Sequence, residues 1–215
     1  MTNIRLADIR KDYRMATLSE QEVSDDPFLQ FEQWFNEVMR SETEEPNAMT
    51  LATVGSNGRP SARIVLLKGF DKEGFHFFTN YESRKAMQIE ENPFGALVFF
   101  WKELERQVRI EGKIIRADSS ESDNYYHSRP VKSQIGAWAS PQSKTLPGRE
   151  YLDEKVKQYE ERFKNTSPER PRFWGGYILQ PVLFEFWQGR ANRLHDRVQY
   201  SLPESGRWKI ERLAP

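Results

Sequence analysis

The feature that most constrains the fold is a run of short strand patterns separated by turn signals between residues 48 and 117. The segments 48–54 and 60–68 flank the turn GSNG, whose Asn57-Gly58 pair suits the positive φ angles of a tight β-turn. Further strands are predicted at 75–80, 94–101 and 104–117. This succession predicts an antiparallel meander, the pattern of a barrel or a sandwich.

Helical patterns surround the meander. Pro27 follows two aspartates, which is a typical helix start, and apolar residues then recur at helical spacing to about Ser41. The remaining helices are predicted at 83–92, 118–129, 130–140 and 148–164. Strand patterns return at 174–189, 194–202 and 206–215, and Pro181 marks a bulge or an edge. We therefore predict a mainly β chain with peripheral helices (α+β), with a flexible arm at 1–24 and a single domain at 25–215.

Composition excludes several classes of protein. Lysine plus arginine equals aspartate plus glutamate at 32 each, so the basic excess of a general nucleic-acid binder is missing. The absence of cysteine excludes disulfides and thiolate sites, and three histidines without HExxH spacing argue against a zinc enzyme. No apolar run approaches the roughly 20 residues of a membrane span, and the N-terminal segment lacks a signal peptide's apolar core. We expect a soluble cytoplasmic protein.

The segment RIVLLK places Arg63 and Lys68 at the two ends of an aliphatic run. The run favours a mostly buried strand, in which the two cations would lie about 16 Å apart. One long anionic ligand could contact both. Their odd separation puts them on opposite faces of a regular strand, unless the strand is bulged or one cation lies at its end. The alternative is a strand flanked by two solvated charges.

Ser83, Arg84 and Lys85 begin one of the predicted helices. Free backbone N–H groups and the helix dipole favour an anion at a helix start, and two cations add to that field. Together with Arg63 and Lys68 this turn is a candidate phosphate site. The alternative is a basic first turn on a surface helix.

A second candidate phosphate site is formed by Tyr125, Arg129 and Ser133, which offer a phenol, a guanidinium and a hydroxyl at four-residue intervals. Pro130 breaks the helix between them. The spacing alone therefore does not establish that the three side chains converge.

The third group lies in WQGRANRLHDR, residues 187–197. Trp187 supplies a flat stacking surface, while Arg193, His195 and Arg197 alternate on one side of a predicted extended segment. Two guanidiniums beside an imidazole on one face are costly unless an anion or a polarised ring lies there. The alternative is an exposed, charged edge strand.

Eight blocks, in this order over nearly the whole chain, carry a resemblance to a known family: RIVLLK, FFTNYESRKA, ERQVRIEG, HSRPVKSQIGAW, FWGGY, EFWQG, RLHDR and ERLAP. In these blocks the chain resembles the pyridoxine (pyridoxamine) 5′-phosphate oxidases. The resemblance implies an antiparallel split β-barrel of the FMN-binding split-barrel type. It also implies a homodimer with FMN bound at the subunit interface, and no metal.

The resemblance further implies which residues bind FMN. Its phosphate and ribityl chain would contact Arg63, Arg84, Lys85, Gln142 and Ser143. Its ring system would contact Ile64, Val65, Leu66, Leu67, Lys68, Phe78, Thr79, Gln107, Trp187 and Arg197. Position 78 is Phe where some members carry Tyr, which matters little if the backbone makes that contact.

The same resemblance implies a substrate site. The substrate phosphate would contact Lys68, Tyr125, Arg129 and Ser133. The candidate catalytic residues, Arg193 and His195, would lie over the pyridine ring and orient it. Arg10 and Tyr13 fit the family's arm residues that close over the substrate.

The resulting hypothesis is oxidation of pyridoxine 5′-phosphate or pyridoxamine 5′-phosphate to pyridoxal 5′-phosphate. A hydride would pass from the substrate's C4′ carbon to flavin N5, and molecular oxygen would reoxidise the flavin and give hydrogen peroxide. Two alternatives stay open: a non-catalytic carrier of FMN or pyridoxal phosphate, and a split-barrel flavin enzyme for another reductant. The RLHDR and HSRP blocks argue against the latter, because a generic flavin-binding relative needs only the FMN half of the site.

Overall fold

The computed structural model describes residues 12–215, which form nine β-strands and five α-helices. The strands are β1 (Ala48–Val54), β2 (Pro60–Leu66), β3 (Gly69–Asp71), β4 (Gly74–Asn80), β5 (Phe94–Trp101), β6 (Arg106–Arg116), β7 (Trp174–Gln188), β8 (Asp196–Ser201) and β9 (Lys209–Arg212). The helices are α1 (Pro27–Met39), α2 (Arg84–Glu91), α3 (Ser119–Ser128), α4 (Val131–Ala139) and α5 (Arg149–Arg162). The predicted class, mainly β with peripheral helices, is confirmed.

The strands follow the order β2-β1-β5-β6-β7-β4-β3, with β8 paired to β7 and β9 paired to β8. Strand β7 pairs antiparallel with β4 through its first half, from Trp174 to Leu179. Its second half, from Leu183 to Gln188, pairs antiparallel with β8. Pro181, which has no N–H to donate, lies where β7 changes from one of these partners to the other.

The chain divides into two compact units. The terminal unit comprises residues up to 49, 97–110 and 182–215, and the central unit comprises residues 50–96 and 111–181. The predicted division into an arm at 1–24 and a single domain at 25–215 stays a prediction.

Helix α1 supplies much of the core of the terminal unit. The carboxylate of Asp26 caps the helix by accepting the N–H of Phe28 at 2.8 Å, and Pro27 takes the first helical position. Phe31 is fully buried and packs against Phe99, with 5.2 Å between the ring centroids. The helix therefore begins where the sequence predicts, because the cap and the apolar stripe agree.

The prediction that RIVLLK forms a mostly buried strand is wrong. Strand β2 lies at the edge of the sheet and ends at Leu66, and Ile64 is 65% exposed. Within this run only Leu67 is buried, at 4% exposure. An edge strand has one neighbour, so its outer residues keep contact with solvent. Lys68 follows the strand, so its odd spacing from Arg63 does not prevent a shared ligand.

In the described part of the chain, no helix has the length and apolar character needed to cross a membrane.

Candidate functional site

A cavity of about 570 Å³ opens in the central unit. It is lined by Arg63, Ile64, Val65, Leu66, Lys68, Phe78, Thr79, Lys85, Tyr125, Arg129, Pro130, Ser133, Gln142 and Trp174. The structure therefore brings residues of both candidate phosphate sites into one cavity, although Ser83 and Arg84 of the first site do not line it. Twelve of these fourteen residues are ones that the sequence assigned to cofactor or substrate; Pro130 and Trp174 are the additions.

The guanidinium of Arg63 is fixed from several sides. One terminal nitrogen donates to the carbonyl of Leu51 at 3.0 Å and to the Thr53 hydroxyl at 2.7 Å, and the other donates to the Ser61 hydroxyl at 2.6 Å. Burial, and then the positive charge of Arg84, lower the pKa of Arg63. The side chain is therefore held in one orientation at the cavity wall before any ligand binds.

Lys85 lies in the first turn of α2 and reaches across the cavity wall. Its Nζ donates to the Gln142 side chain at 2.7 Å and to the Thr79 hydroxyl at 3.0 Å. Burial first, and then the charge of Arg63, lower the pKa of Lys85 to about 8. These two cations repel each other, so an anion placed beside them would relieve the repulsion.

The lining, as far as the structure describes it, contains four cationic side chains and no carboxylate; the cations are Arg63, Lys68, Lys85 and Arg129. A cavity with this charge suits a ligand that carries phosphate. The FMN that the resemblance implies carries such a phosphate.

Arg129 is the cation of the second candidate phosphate site. One terminal nitrogen of its guanidinium is buried without a hydrogen-bond partner among the described residues, and burial lowers the pKa of the group. Helix α3 ends at Ser128 and α4 begins at Val131, so Pro130 separates Arg129 from Ser133. Both side chains nevertheless line the same cavity. An unsatisfied, buried cation is costly, so this nitrogen is available to a phosphate oxygen.

An aromatic stack forms one wall of the cavity. The ring of Phe78 stacks on that of Tyr125 at 4.0 Å and on that of Trp174 at 5.7 Å. The guanidinium of Arg129 lies 4.7 Å from the centroid of Trp174. The sequence did not assign Trp174 a role, although it lies in the FWGGY block.

Three predicted FMN residues of the central unit are not part of the cavity lining: Leu67, Arg84 and Ser143. Leu67 is buried in the core, and Arg84 acts on Arg63 only through its charge. Ser143 has a φ of +69°, in the left-handed region, and follows the lining residue Gln142. Their predicted contacts with FMN stay predictions.

In the terminal unit, one sheet face carries the remaining predicted ring contacts. Trp187 and Arg197 are direct partners in the β7–β8 register. Gln107 is half-buried on β6, two residues from Arg109 and therefore on the same face as it. Arg109 donates to Glu185, and Glu185 lies two residues before Trp187, on the same face of β7. Gln107, Trp187 and Arg197 therefore lie on one surface of the sheet.

A buried carboxylate organises this face. Glu185 is 3% exposed and accepts Nε of Arg197 at 2.8 Å and a terminal nitrogen of Arg109 at 2.5 Å. The two guanidiniums hold the pKa of Glu185 below its ordinary value although burial alone would raise it. Another nitrogen of Arg197 donates to the carbonyl of Ala214 at 2.7 Å. The sequence did not identify Glu185 or Arg109; a charged residue between the aromatics of LFEFW was the available signal.

The prediction that Arg193, His195 and Arg197 alternate along an extended segment is wrong. Residues 191–193 form a single 3-10 turn, and β8 begins only at Asp196. Asn192 and Arg193 have φ angles of +57° and +61°. Two consecutive left-handed residues turn the chain, so the side chains before Asp196 do not alternate as in a strand.

His195 packs against aromatic rings. Its centroid lies 4.6 Å from that of Trp187 and 6.0 Å from that of Tyr13. Its Nδ1 accepts the backbone N–H of Arg190 at 3.1 Å. Burial first, and then the charge of Arg193, lower the pKa of His195. Arg10 lies outside the described residues, so its predicted role stays a prediction.

Comparison with known families gives two matches. A family model described as "Pyridoxamine 5′-phosphate oxidase" matches residues 35–163. A second, described as "Pyridoxine 5′-phosphate oxidase C-terminal dimerisation region", matches residues 174–215.

Among similar curated proteins are two that bear the name pyridoxine/pyridoxamine 5′-phosphate oxidase. The protein from Cupriavidus pinatubonensis is 54% identical over 211 residues, which cover 98% of this chain and 99% of the relative. The protein from Pseudomonas putida is 54% identical over 212 residues, which cover 98% of each chain.

Two solved structures share the fold. PhzG from Burkholderia lata, in complex with tetrahydrophenazine-1-carboxylic acid, has a TM-score of 0.88 and 28% identity, covering 95% of this chain and all of that one. A pyridoxamine 5′-phosphate oxidase-related, FMN-binding protein from Nostoc punctiforme has a TM-score of 0.69 and 20% identity, covering 88% and 98%. These similarities confirm the predicted split-barrel fold class.

Proposed function

The chain belongs to the pyridoxine/pyridoxamine 5′-phosphate oxidase family, and from this premise we propose that it oxidises pyridoxine 5′-phosphate and pyridoxamine 5′-phosphate to pyridoxal 5′-phosphate with bound FMN. The observation that carries the proposal is the cavity of the central unit. There, Arg63 with Lys85 and Lys68 with Arg129 offer two cationic subsites beside an aliphatic and aromatic wall. Two ligands that each carry a phosphate and a flat ring suit this arrangement.

The proposed assembly is a homodimer with FMN at the subunit interface. The match to the family's C-terminal dimerisation region spans residues 174–215, which include Trp187, Arg193, His195 and Arg197. A dimer in which this region completes the site would add its ring contacts and pyridine contacts to the phosphate subsites.

The chain's own residues bind and orient the two ligands. Arg63 and Lys85 hold the FMN phosphate, and the exposed strand residues Ile64 and Leu66 exclude water from its ring. When bound, FMN would accept a hydride, and with it two electrons, from the substrate's C4′ and pass the electrons to molecular oxygen, which would leave as hydrogen peroxide. The alcohol of pyridoxine 5′-phosphate gives the aldehyde directly, whereas the imine formed from pyridoxamine 5′-phosphate takes up water and releases ammonia. Lys68 and Arg129 hold the substrate phosphate and so set where C4′ lies.

His195 and Arg193 orient the pyridine ring. Because Nδ1 of His195 accepts a backbone N–H and the pKa of the imidazole is lowered, the ring is neutral at pH 7 with its proton on Nε2. A neutral imidazole donates a hydrogen bond without adding charge beside Arg193. The guanidinium of Arg193 has no hydrogen-bond partner within residues 12–215, which leaves it for the phenolic oxygen of the substrate.

Turnover with phosphorylated and unphosphorylated vitamin tests the proposal. We expect purified, FMN-loaded protein to form hydrogen peroxide and pyridoxal 5′-phosphate in equal amounts from pyridoxine 5′-phosphate. Pyridoxine itself should show a kcat/KM at least about tenfold lower, because charge-assisted hydrogen bonds contribute roughly 1.5–3 kcal/mol each. Arg129→Met should remove most of this preference, whereas Lys132→Met, an exposed neighbour outside the cavity, should keep it.

The alternatives give different results in the same assay. A carrier would bind FMN and pyridoxal 5′-phosphate without forming peroxide. An enzyme for another reductant would leave pyridoxine 5′-phosphate unchanged, and equal turnover of pyridoxine and its phosphate would contradict the assigned phosphate subsite. Since FMN and the phosphorylated substrates do not cross membranes unaided, the proposal includes a cytoplasmic location.

A further inference from the structure

Residues 13–15 lie against the end of strand β7 in the terminal unit. The ring of Tyr13 meets that of Trp187 edge-on at 5.8 Å and that of His195 at 6.0 Å. Its Cβ and Cγ lie over Gly189. If residue 189 were alanine, its Cβ would lie 2.7 Å from the Cβ and 2.6 Å from the Cγ of Tyr13, which is too close. Tyr13 therefore occupies a position that exists because residue 189 has no side chain.

The neighbouring peptide is held by Glu105, which lies in a left-handed turn between β5 and β6 with a φ of +55°. This residue is 3% exposed. One of its carboxylate oxygens accepts the N–H of Arg14 at 2.8 Å and the N–H of Met15 at 3.2 Å. Its backbone carbonyl accepts the N–H of Gly189 at 2.7 Å. Glu105 therefore binds the segment that carries Tyr13 through its carboxylate and binds Gly189 through its backbone carbonyl.

From this geometry we propose that Glu105 is a positioning residue: its carboxylate holds the Arg14–Met15 peptide so that Tyr13 lies against Trp187 and His195. A buried carboxylate that accepts two backbone N–H groups makes charge-assisted hydrogen bonds, which are stronger than neutral ones. Without the carboxylate, the N–H groups of Arg14 and Met15 would lose their partner, while the backbone hydrogen bond from Gly189 to the carbonyl of residue 105 would remain. The consequence for catalysis rests on the proposed function, because that function places the substrate's pyridine ring at His195.

The arm is also attached further along, so the effect of Glu105 is local. The N–H of Leu18 donates to Asp196 at 3.1 Å, and its carbonyl accepts a terminal nitrogen of Arg212 at 3.0 Å. Loss of the Glu105 contact should therefore free residues 13–17 and leave Leu18 in place.

Trypsin provides a readout that needs neither substrate nor turnover. The Arg14–Met15 bond is a tryptic site whose own N–H donates to Glu105, so cleavage there requires this contact to open. We expect Glu105→Ala to raise the cleavage rate after Arg14 roughly tenfold or more in the FMN-loaded protein. Glu105→Gln should restore part of the protection, because both hydrogen bonds go to one oxygen and an amide oxygen can accept them.

Glu103→Ala is the matched control. Glu103 lies two residues away, is exposed and accepts only the Thr43 hydroxyl, at 3.2 Å, among the contacts described. It should leave the rate after Arg14 unchanged. A rate in Glu105→Ala equal to that of the unmodified protein would overturn the proposal.

Steady-state kinetics separate this proposal from the proposed function. In Glu105→Ala we expect KM for pyridoxine 5′-phosphate to rise several-fold while FMN affinity is unchanged. Gly189→Ala, which displaces Tyr13 but keeps Glu105, should give the same rise in KM. Lost tryptic protection with KM unchanged in both variants would overturn the link between this contact and the substrate. Absence of any oxidase activity in the unmodified protein would instead reject the proposed function and leave the tryptic result standing.

Discussion

At the scale of single residues, burial, charge repulsion and ligand binding all act on the protonation of Lys85. Its pKa is lowered to about 8, first by burial and then by the charge of Arg63. Its Nζ nevertheless keeps hydrogen bonds to Gln142 and Thr79, so the amine is already aimed at the cavity wall. A phosphate dianion bound there favours the charged amine and raises its pKa again.

This coupling predicts a pH dependence for FMN binding. The amine in the free protein is charged below about pH 8 and loses its proton above it, while the phosphate is fully ionised above about pH 7. FMN affinity should therefore be constant between pH 7 and 8 and then fall by up to about tenfold per pH unit. Quenching of flavin fluorescence measures this affinity at each pH. Lys85→Met should bind FMN more weakly at every pH, and its affinity should no longer fall above pH 8. If the affinity of Lys85→Met still fell above pH 8, another group would be the one that loses the proton.

Arg197 and Arg193 differ in how they are held, although they lie four residues apart. Arg197 is bound through Glu185 and the Ala214 carbonyl, whereas Arg193 extends from a left-handed turn into solvent. We expect Arg197→Ala to weaken FMN binding, and Glu185→Gln to weaken it in the same direction, because the guanidinium loses its buried partner. Arg193→Ala should bind FMN normally and lower kcat/KM at least about tenfold. Equal loss of flavin in all three variants would contradict this division of roles.

At the scale of elements, the start of α1 shows how one side chain can secure a helix that supplies much of a core. Asp26 accepts the N–H of Phe28, and the helix then buries Phe31, Trp34 and Val38. We expect Asp26→Ala to lower the free energy of unfolding by about 1 kcal/mol, the usual loss for an N-cap. Denaturant unfolding of the FMN-loaded protein measures it. Asp25→Ala is the control, because Asp25 precedes the cap position and does not cap the helix. An equal decrease in the free energy of unfolding in both variants would show that the negative charge, and not the cap hydrogen bond, stabilises the helix.

At the scale of the whole molecule, most strands and helices followed from periodicity and turn residues, and most of the cavity lining followed from the family resemblance. The short strand β3 was missed, because its three residues, Gly69–Asp71, are too few to show a strand period. The pairing of Glu185 with Arg109 and Arg197 did not, because it joins side chains of three strands and depends on the register. The left-handed turn at Arg193 was missed for another reason. Arginine rarely adopts that conformation, so its identity gives no signal.

Strand β2 has a consequence for how the protein must be produced. It forms an edge of the sheet and exposes Ile64 and Leu66, while Arg63 on the same strand is tied down by Leu51 and Thr53. An unprotected apolar edge recruits other chains into non-native sheets. Newly synthesised chains are therefore vulnerable to aggregation until a ligand covers Ile64 and Leu66 in the cavity, so flavin starvation during expression should reduce the recovered yield more than it reduces the intrinsic stability of each folded chain.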